Sequence, residues 1–362
     1  MLLHLYALLV AFSTAVLIFA GGLVTSTGSG LSVPDWPTTY GWFMFTFPLE
    51  KMVGGIRFEH THRLIASTVG FLILVLAVWL RVAEPRRWVR QLGYLALAAV
   101  IAQGILGGIT VLWYLPDPIS IAHASLAQLV FCLTIAVALT TSPGWKHAYA
   151  GRALASDDRT LRTIAIATTA LVYLQILLGA TMRHTDAGLA IPDFPLAFGH
   201  VLPPSWDAKI AVHFAHRVGA VIASLFAIAT AGHVFFHHRS RPELWRPSTL
   251  LLGLLATQIT LGALTVLSQK HYIINSLHVV TGACVLATSL VLTLRANRGA
   301  LAGSTEGDRA AGSEEQDPAY GSRADARTVR RAGPIGPAGP ADPRRTGSVG
   351  PADRMRSARG RA

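Results

Sequence analysis

Residues 91–114 read QLGYLALAAVIAQGILGGITVLWY, a run without a single charged side chain. An α-helix needs about 20 apolar residues to cross the hydrocarbon core of a bilayer, and soluble cores do not hold apolar runs this long. In lipid the backbone must satisfy its own hydrogen bonds, which leaves a helix as the only sensible form. The run is therefore predicted to be a transmembrane helix.

Seven further segments have the same character, so the predicted fold class is an all-α membrane protein with eight transmembrane helices. The predicted segments are 2–25, 64–81, 91–114, 120–141, 161–182, 212–236, 248–267 and 274–294. The composition agrees, since 52% of the 362 residues are hydrophobic and only 14% are charged. The first segment is predicted to be a retained helix rather than a signal peptide, because its apolar stretch is long and no Lys or Arg precedes it.

The formal net charge of +12 raises the question of nucleic-acid binding. The basic residues lie mainly in short loops, with no basic stripe interleaved with aromatic residues, so no nucleic-acid partner is predicted. The positive-inside rule places the more basic loops, and with them both termini, in the cytoplasm. The long loops around 26–61 and 183–211 then face out. A bacterial plasma membrane is the expected location, because no Arg-rich, Ser-rich presequence precedes the first helix.

The two halves of the chain resemble each other. GLSVPDWP at 30–37 recurs as GLAIPDFP at 188–195, and QGILGGIT at 103–110 recurs as QITLGALT at 258–265. An even number of helices per half makes such a repeat parallel. We therefore predict two pseudo-symmetric four-helix bundles, at 1–142 and 161–295, joined by a cytoplasmic linker at 143–160. Residues 296–362, rich in Gly, Pro, Ala, Arg and Asp, are predicted to be a disordered cytoplasmic tail.

Four histidines are predicted to open alternate helices near the outer membrane face. They are His62, His123, His216 and His278. Ionisable residues in membrane helices are costly and usually functional. Two histidines without an acidic or Cys partner on the same turn do not make a zinc site, but they suit the axial positions of a haem iron inside a four-helix bundle. One haem site in each half is the prediction.

Arg63 and Arg217 directly follow two of these histidines, where a guanidinium can either bind a haem propionate or anchor the helix at the interface. Glu59 precedes the first histidine by three residues and is replaced by His213 in the second half. A spacing of three puts Glu59 on the face of the ligand. An acid in one site only suggests proton chemistry there. The alternative is that Glu59 balances Arg57 and Arg63.

Taken together, these motifs resemble haem A synthase. The resemblance rests on Glu59-x-x-His62-Arg63 and His213-x-x-His216-Arg217, on Thr27-Gly28-Ser29-Gly30-Leu31 with Pro34-Asp35-Trp36-Pro37 and its repeat Pro192-Asp193-Phe194-Pro195, and on His123 and His278. It covers residues 1–295 and implies oxidation of the C8 methyl of haem O to a formyl group, giving haem A for terminal oxidases. The implied steps are successive hydroxylations, with water as the oxygen source, and loss of water from the gem-diol.

The resemblance also implies site roles. The substrate haem O is handled in the N-terminal half at His62 and His123, haem b is bound in the C-terminal half by His216 and His278, and Glu59 is the catalytic carboxylate. The implied partners are the lipid bilayer, a haem O synthase, cytochrome oxidase assembly factors and an unidentified electron acceptor. A homo-oligomer and a monomer both stay open.

One departure concerns cysteine. Some members of the family carry a cysteine pair in the first outer loop, where this chain has none. Its two cysteines, Cys132 and Cys284, lie inside apolar segments and form no CxxC or CxxCH motif. We therefore expect no thiol chemistry, and electrons must leave through the haems or an external partner.

Two functions of other classes compete with this interpretation. A dihaem b-type electron-transfer protein would hold two equivalent permanent haems and would not need Glu59. A transporter with histidines along a proton path would need polar groups through the bilayer depth. The main candidates for those groups, Gln103, Gln128, Gln175 and Gln258, form no obvious charged relay.

Overall fold

The computed structural model describes residues 1–150 and 158–299, and these residues form helices and no strands. The helices are α1 Leu2–Ser26, α2 Gly55–Ala83, α3 Arg87–Leu112, α4 Asp117–Thr141, α5 Pro143–Ala150, α6 Arg159–His184, α7 Ala208–His237, α8 Pro242–Leu267 and α9 Tyr272–Ala296. Two short 3-10 helices, Met44–Thr46 and Leu49–Lys51, lie between α1 and α2. The predicted tail lies outside the described residues from 300 onward.

Every described helix except α5 is long and apolar enough to cross a membrane. These eight helices coincide with the eight predicted segments, which confirms the predicted fold class. The largest difference is at α2, which begins at Gly55 rather than near 64. Its first two turns carry Glu59, His60 and Arg63, which lower the local hydropathy although the backbone is already helical.

The predicted linker 143–160 contains the short helix α5, which the sequence did not indicate. Trp145 of α5 is 2% exposed. The guanidinium of Arg298 donates to the carbonyl oxygens of Gly144 and Trp145 and lies 4.8 Å from the Trp145 ring. This part of the linker therefore packs against the end of α9, whereas residues 151–157 lie outside the described part.

The transmembrane helices pack in two rings. In the first half, α1 and α3 each contact both α2 and α4, and in the second half α6 and α8 each contact both α7 and α9. One apolar core, which includes Ile73 and Leu76, fills the first ring, and another, which includes Leu251 and Leu286, fills the second. Buried apolar surface of this kind stabilises the packing by dispersion contacts rather than by exclusion from water, because the surrounding lipid is apolar too.

The contacts between the halves follow the internal repeat. Helix α1 packs on α9, α6 packs on α4, and α4 packs on α9. Because α1 is equivalent to α6 and α4 to α9, the first two contacts exchange under the repeat and the third maps onto itself. This is the pattern of an isologous interface. Phe131 of α4 and Ala283 of α9 belong to the apolar cluster at this junction.

Candidate functional site

The four predicted ligands lie at the end of the helices that carries the loops 27–54 and 185–207, which we call the rim end and the rim loops. His62 is the eighth residue of α2, His123 the seventh of α4, His216 the ninth of α7 and His278 the seventh of α9. The prediction that these histidines open their helices is wrong, because each helix begins six to eight residues earlier. Each ligand lies about 9 to 12 Å along its helix from the first residue.

Each of the four histidines packs against a glycine of a neighbouring helix. The pairs are Gly21 of α1 with His62, Gly107 of α3 with His123, Gly179 of α6 with His216, and Gly262 of α8 with His278. A Cβ atom at any of these glycines would lie 2.9–3.1 Å from the imidazole Cε1. A larger residue at any of these positions would therefore require the imidazole ring to shift. The sequence signal for these contacts was the recurrence of each glycine in the repeat, which sequence reasoning did not use.

The histidines form two pairs across the helix rings. Helices α2 and α4 are diagonal because α1 and α3 contact both, and α7 and α9 are diagonal for the same reason. His62 and His123 lie within electrostatic range of each other, as do His216 and His278. Two imidazoles on diagonal helices of a four-helix ring would suit the ligation of a haem iron.

Unpartnered nitrogen atoms agree with a ligand role for the first pair. The Nδ1 atoms of His62 and His123 are buried and have no hydrogen-bond partner among the described residues. Buried polar groups are normally satisfied, so unsatisfied ones in the middle of a helix ring need an explanation. These side chains fit a haem, whose iron could take one imidazole nitrogen from each.

Three of the four histidines also have a glutamine neighbour. Gln103 donates to the carbonyl oxygen of His123, Gln175 donates to that of His216, and Nδ1 of His278 lies 3.1 Å from the carbonyl oxygen of Gln258. Leu17 stands at the position equivalent to Gln175, so His62 has no neighbour of this kind. Three of the glutamines considered for a proton path thus form hydrogen-bond contacts with the predicted histidine ligands.

Arg63 and Arg217 hold the rim loops. Arg63 donates to the carbonyl oxygens of Val33, Asp35 and Thr38 at 2.7–3.0 Å. Arg217 donates to those of Ile191, Asp193 and Leu196, each 158 residues later, at 2.6–3.2 Å. A planar guanidinium with five donors suits this task better than an ammonium group. The structure thus directs both arginine side chains to backbone carbonyl groups of the loops.

An aspartate folds each rim loop into the same turn. Asp35 accepts hydrogen bonds from the amides of Tyr40 and Gly41 at 2.8 and 2.9 Å, and Asp193 accepts them from Phe198 and Gly199 at 2.8 Å. Burial alone would raise the pKa of Asp35, but the bonds from Gly41, Thr38 and Tyr40 bring it below its usual value. The amides of Gly199 and Phe198 lower the pKa of Asp193. Both turns therefore favour the ionised carboxylate.

Glu59 is buried at 3% exposure and joins the same network. Its Oε2 accepts a hydrogen bond from the amide of Val33 at 2.8 Å, and its Oε1 forms an ion pair with Arg63 at 2.6 Å. In the second half, Nδ1 of His213 accepts a hydrogen bond from the amide of Ile191 at 3.3 Å. The two side chains thus have the same loop contact, but only Glu59 brings a carboxylate. The expected ion pair of Glu59 with Arg63 is present, whereas Arg57 lies over the Phe58 ring.

His60 is a further polar residue of the first half that sequence reasoning did not single out. It is 1% exposed, its Nδ1 lies 3.1 Å from Thr39 Oγ1, and its ring lies 4.9 Å from that of Phe47. The equivalent residue in the second half is Phe214, which packs edge-on against Trp206. The first site therefore has two polar groups, Glu59 and His60, on consecutive residues where the second has one.

Residues 4–290 match a family model described as cytochrome oxidase assembly protein, COX15-CtaA. The chain belongs to this family. The match includes all four histidines, both rim loops and Glu59.

Curated relatives of this family are named haem A synthase. One from Symbiobacterium thermophilum is 30% identical over 299 residues, which is 79% of this chain and 94% of the relative. Another from Geobacillus kaustophilus is 28% identical over 287 residues, which is 78% of this chain and 88% of the relative. A third from Listeria monocytogenes is 26% identical over 301 residues, with coverage of 82% and 96%. The relatives are thus covered almost in full.

Proposed function

We propose that the chain is a haem A synthase, an oxidoreductase that converts the C8 methyl of haem O to a formyl group. The observation that carries the proposal is a pair of equivalent histidine sites of which one alone has a buried carboxylate, Glu59. The family and the names of its curated relatives point to the same activity. The product is haem A for terminal oxidases.

In this proposal the N-terminal bundle, 1–142, binds haem O between His62 and His123, and the C-terminal bundle, 161–295, binds haem b between His216 and His278. Haem b supplies one-electron transfer when it is bound. The methyl group and one water give the formyl group, four protons and four electrons, and the electrons pass to an external acceptor. The glycines under the four histidines fix the ring positions.

Glu59 is the proposed catalytic carboxylate. Its contacts with Arg63 and Val33 hold the side chain in place at the rim end, one turn before His62. A carboxylate in this place can take a proton from water or from the reacting methyl group. Arg63 and Arg217 position the loops over the sites through the carbonyl contacts described above, and a propionate contact for either arginine stays a prediction.

The rim end is proposed to face out of a bacterial plasma membrane, with both termini in the cytoplasm, because the opposite loops are richer in Lys and Arg. A haem O synthase, cytochrome oxidase assembly factors and an electron acceptor are the proposed partners in that membrane, and a homo-oligomer is one proposed form of the chain. Reporter fusions after residue 142 and within 185–207 test the orientation.

The deciding experiment expresses the chain in a host that makes haem O but lacks its own haem A synthase, followed by mass analysis of the extracted haems. We expect haem A from the wild type, and haem O or a hydroxylated intermediate from Glu59→Ala. Haem b alone from both proteins would overturn the proposal and favour the dihaem electron-transfer protein.

A further inference from the structure

A cluster of metal-ligating side chains lies at the end of the second half opposite the rim end. It consists of Asp158 ahead of α6, His233 in the last turns of α7, and His238 directly after α7. Each residue can offer one ligand atom, a carboxylate oxygen from Asp158 or a ring nitrogen from each histidine, and these atoms lie within 4.8 Å of one another. His233 is 17 residues beyond His216, or about 26 Å along α7. The cluster is therefore separate from the haem sites.

The geometry of the cluster is close to that of a metal site. Asp158 Oδ2 lies 2.8 Å from His233 Nε2 and 2.8 Å from His238 Nε2. In a tetrahedral site with metal–ligand bonds of about 2.0 Å, neighbouring ligand atoms are separated by about 3.3 Å. An ion would therefore require the carboxylate oxygen to move only about half an ångström away from each imidazole nitrogen, within the freedom of side-chain torsions.

The carboxylate of Asp158 is oriented for this role by the fold. Its Oδ1 caps α6 by accepting a hydrogen bond from the amide of Leu161 at 2.8 Å, which leaves Oδ2 directed at the two imidazoles. His238 is 5% exposed, so its ring position is fixed by packing. A ligand whose other atom is held by a structural hydrogen bond is typical of metal sites.

The equivalent place in the first half has different side-chain contacts. Glu84, 154 residues before His238, is 2% exposed and pairs with Arg86 at 2.6 Å and with Lys146 at 3.4 Å. There the carboxylate is neutralised by cationic side chains of the chain itself. In the second half the carboxylate meets two imidazoles, whose Nε2 atoms can bind a metal ion when the ring proton lies on Nδ1.

We propose that Asp158, His233 and His238 form a binding site for a divalent transition-metal ion. Two imidazole nitrogens and one carboxylate oxygen are a ligand set that suits Zn²⁺, with a water molecule in the fourth position. The same set also accepts Cu²⁺ or Fe²⁺, for which imidazole is a suitable ligand. Because Asp158 directly precedes α6 and the histidines lie at the end of α7, the ion would join these two helices at the ends opposite the rim end.

The test uses the full chain, purified in detergent, freed of metal with a chelator and dialysed against Zn²⁺ alone. We expect one zinc per chain above the amount bound by Asp158→Asn, and at least 100-fold weaker binding at this site in Asp158→Asn and His238→Ala. Asp158→Glu should keep the ion. Cobalt in place of zinc should give the visible absorption of a four-coordinate site in the wild type and lose it in His238→Ala.

His237→Ala is the matched control, because His237 stacks on His233 at 4.4 Å but is not one of the three ligands. Its zinc content should equal that of the wild type. The proposal is overturned if the wild type and Asp158→Asn retain the same amount of zinc, or if His237→Ala loses as much as His238→Ala. Circular dichroism of each variant, matched to that of the wild type, excludes loss of binding through unfolding.

Discussion

Glu59 of α2 accepts a hydrogen bond from the backbone amide of Val33 in the first rim loop, and the Oε2 to N distance is 2.8 Å. His213 repeats this contact with Ile191 in the second half. A neutral imidazole is thus sufficient to hold the loop. Glu59 differs from His213 in that it adds a negative charge to the first half.

This relationship separates a structural role of Glu59 from a chemical one. Glu59→His copies the second half, so the loop contact should survive while the carboxylate is lost. We expect haem A formation to fall at least 100-fold, in the range found when a general acid or base is removed. Mass analysis of extracted haems measures it, with His213→Gln as the control that should continue to make haem A. Wild-type haem A production by Glu59→His would contradict a catalytic carboxylate.

The glycines beneath the histidines give a second prediction. Gly179→Ala would place a Cβ 2.9 Å from Cε1 of His216, so the ring must move. Forcing a methyl group into a packed site costs about 1 to 3 kcal/mol. We expect loss of the haem signal proposed for the C-terminal site in the optical spectrum. Gly104→Ala, where no heavy atom lies within 4 Å of the added Cβ, should leave the spectrum unchanged.

The rim loops should be sensitive to acid. Hydrogen bonds to the carboxylate bring the pKa of Asp35 below its usual value of 3.8 despite its burial. A depressed pKa in the folded state means that the stabilisation is present above that usual value and is lost as the pH falls through the lower, folded value. We expect Trp fluorescence from the loop, which contains Trp36 and Trp42, to change below about pH 4. Asp35→Asn should lack this transition, and an identical titration in both proteins would contradict the prediction.

Arg183 gives a prediction for the contact between the halves. Its guanidinium, on α6, donates to the carbonyl oxygen of Gly22 and to Ser26 Oγ on α1, both at 2.7 Å. Hydrogen bonds from a charged donor contribute about 1.5 to 3 kcal/mol. Arg183→Met should therefore lower the thermal unfolding midpoint in detergent. Arg239→Met, at an exposed site, should not, and equal midpoints for the two variants would count against the contact.

The helix positions followed from hydropathy because a membrane span needs a long apolar run, and the described helices contain all eight predicted segments except at their fringes. The start of α2 was misplaced, because hydropathy falls where Glu59, His60 and Arg63 enter the rim network. A polar residue has the same hydropathy value in a helix as in a loop, so hydropathy alone does not locate the start of such a helix.

The histidines of the candidate site could be singled out from the sequence, but most of their surroundings could not. His62 and its counterparts stand out because ionisable residues are rare in apolar segments. The partners of Arg63 were not predictable, since backbone carbonyls carry no side-chain signature. Gly21 and its counterparts were visible in the repeat, but a close approach of two helices is a property of packing. Asp158 and His233 are far apart in sequence and meet only because α6 and α7 are adjacent.

The isologous contacts among α1, α4, α6 and α9 bear on how two unlike sites can arise in one molecule. Two separate copies of a four-helix protein meeting through such contacts would be a symmetric dimer, in which any substitution appears twice. An acid at position 59 would then be present in both sites, and both would carry out the same chemistry. Joining the copies into one polypeptide removes that constraint, so one half can carry a histidine where the other carries a carboxylate.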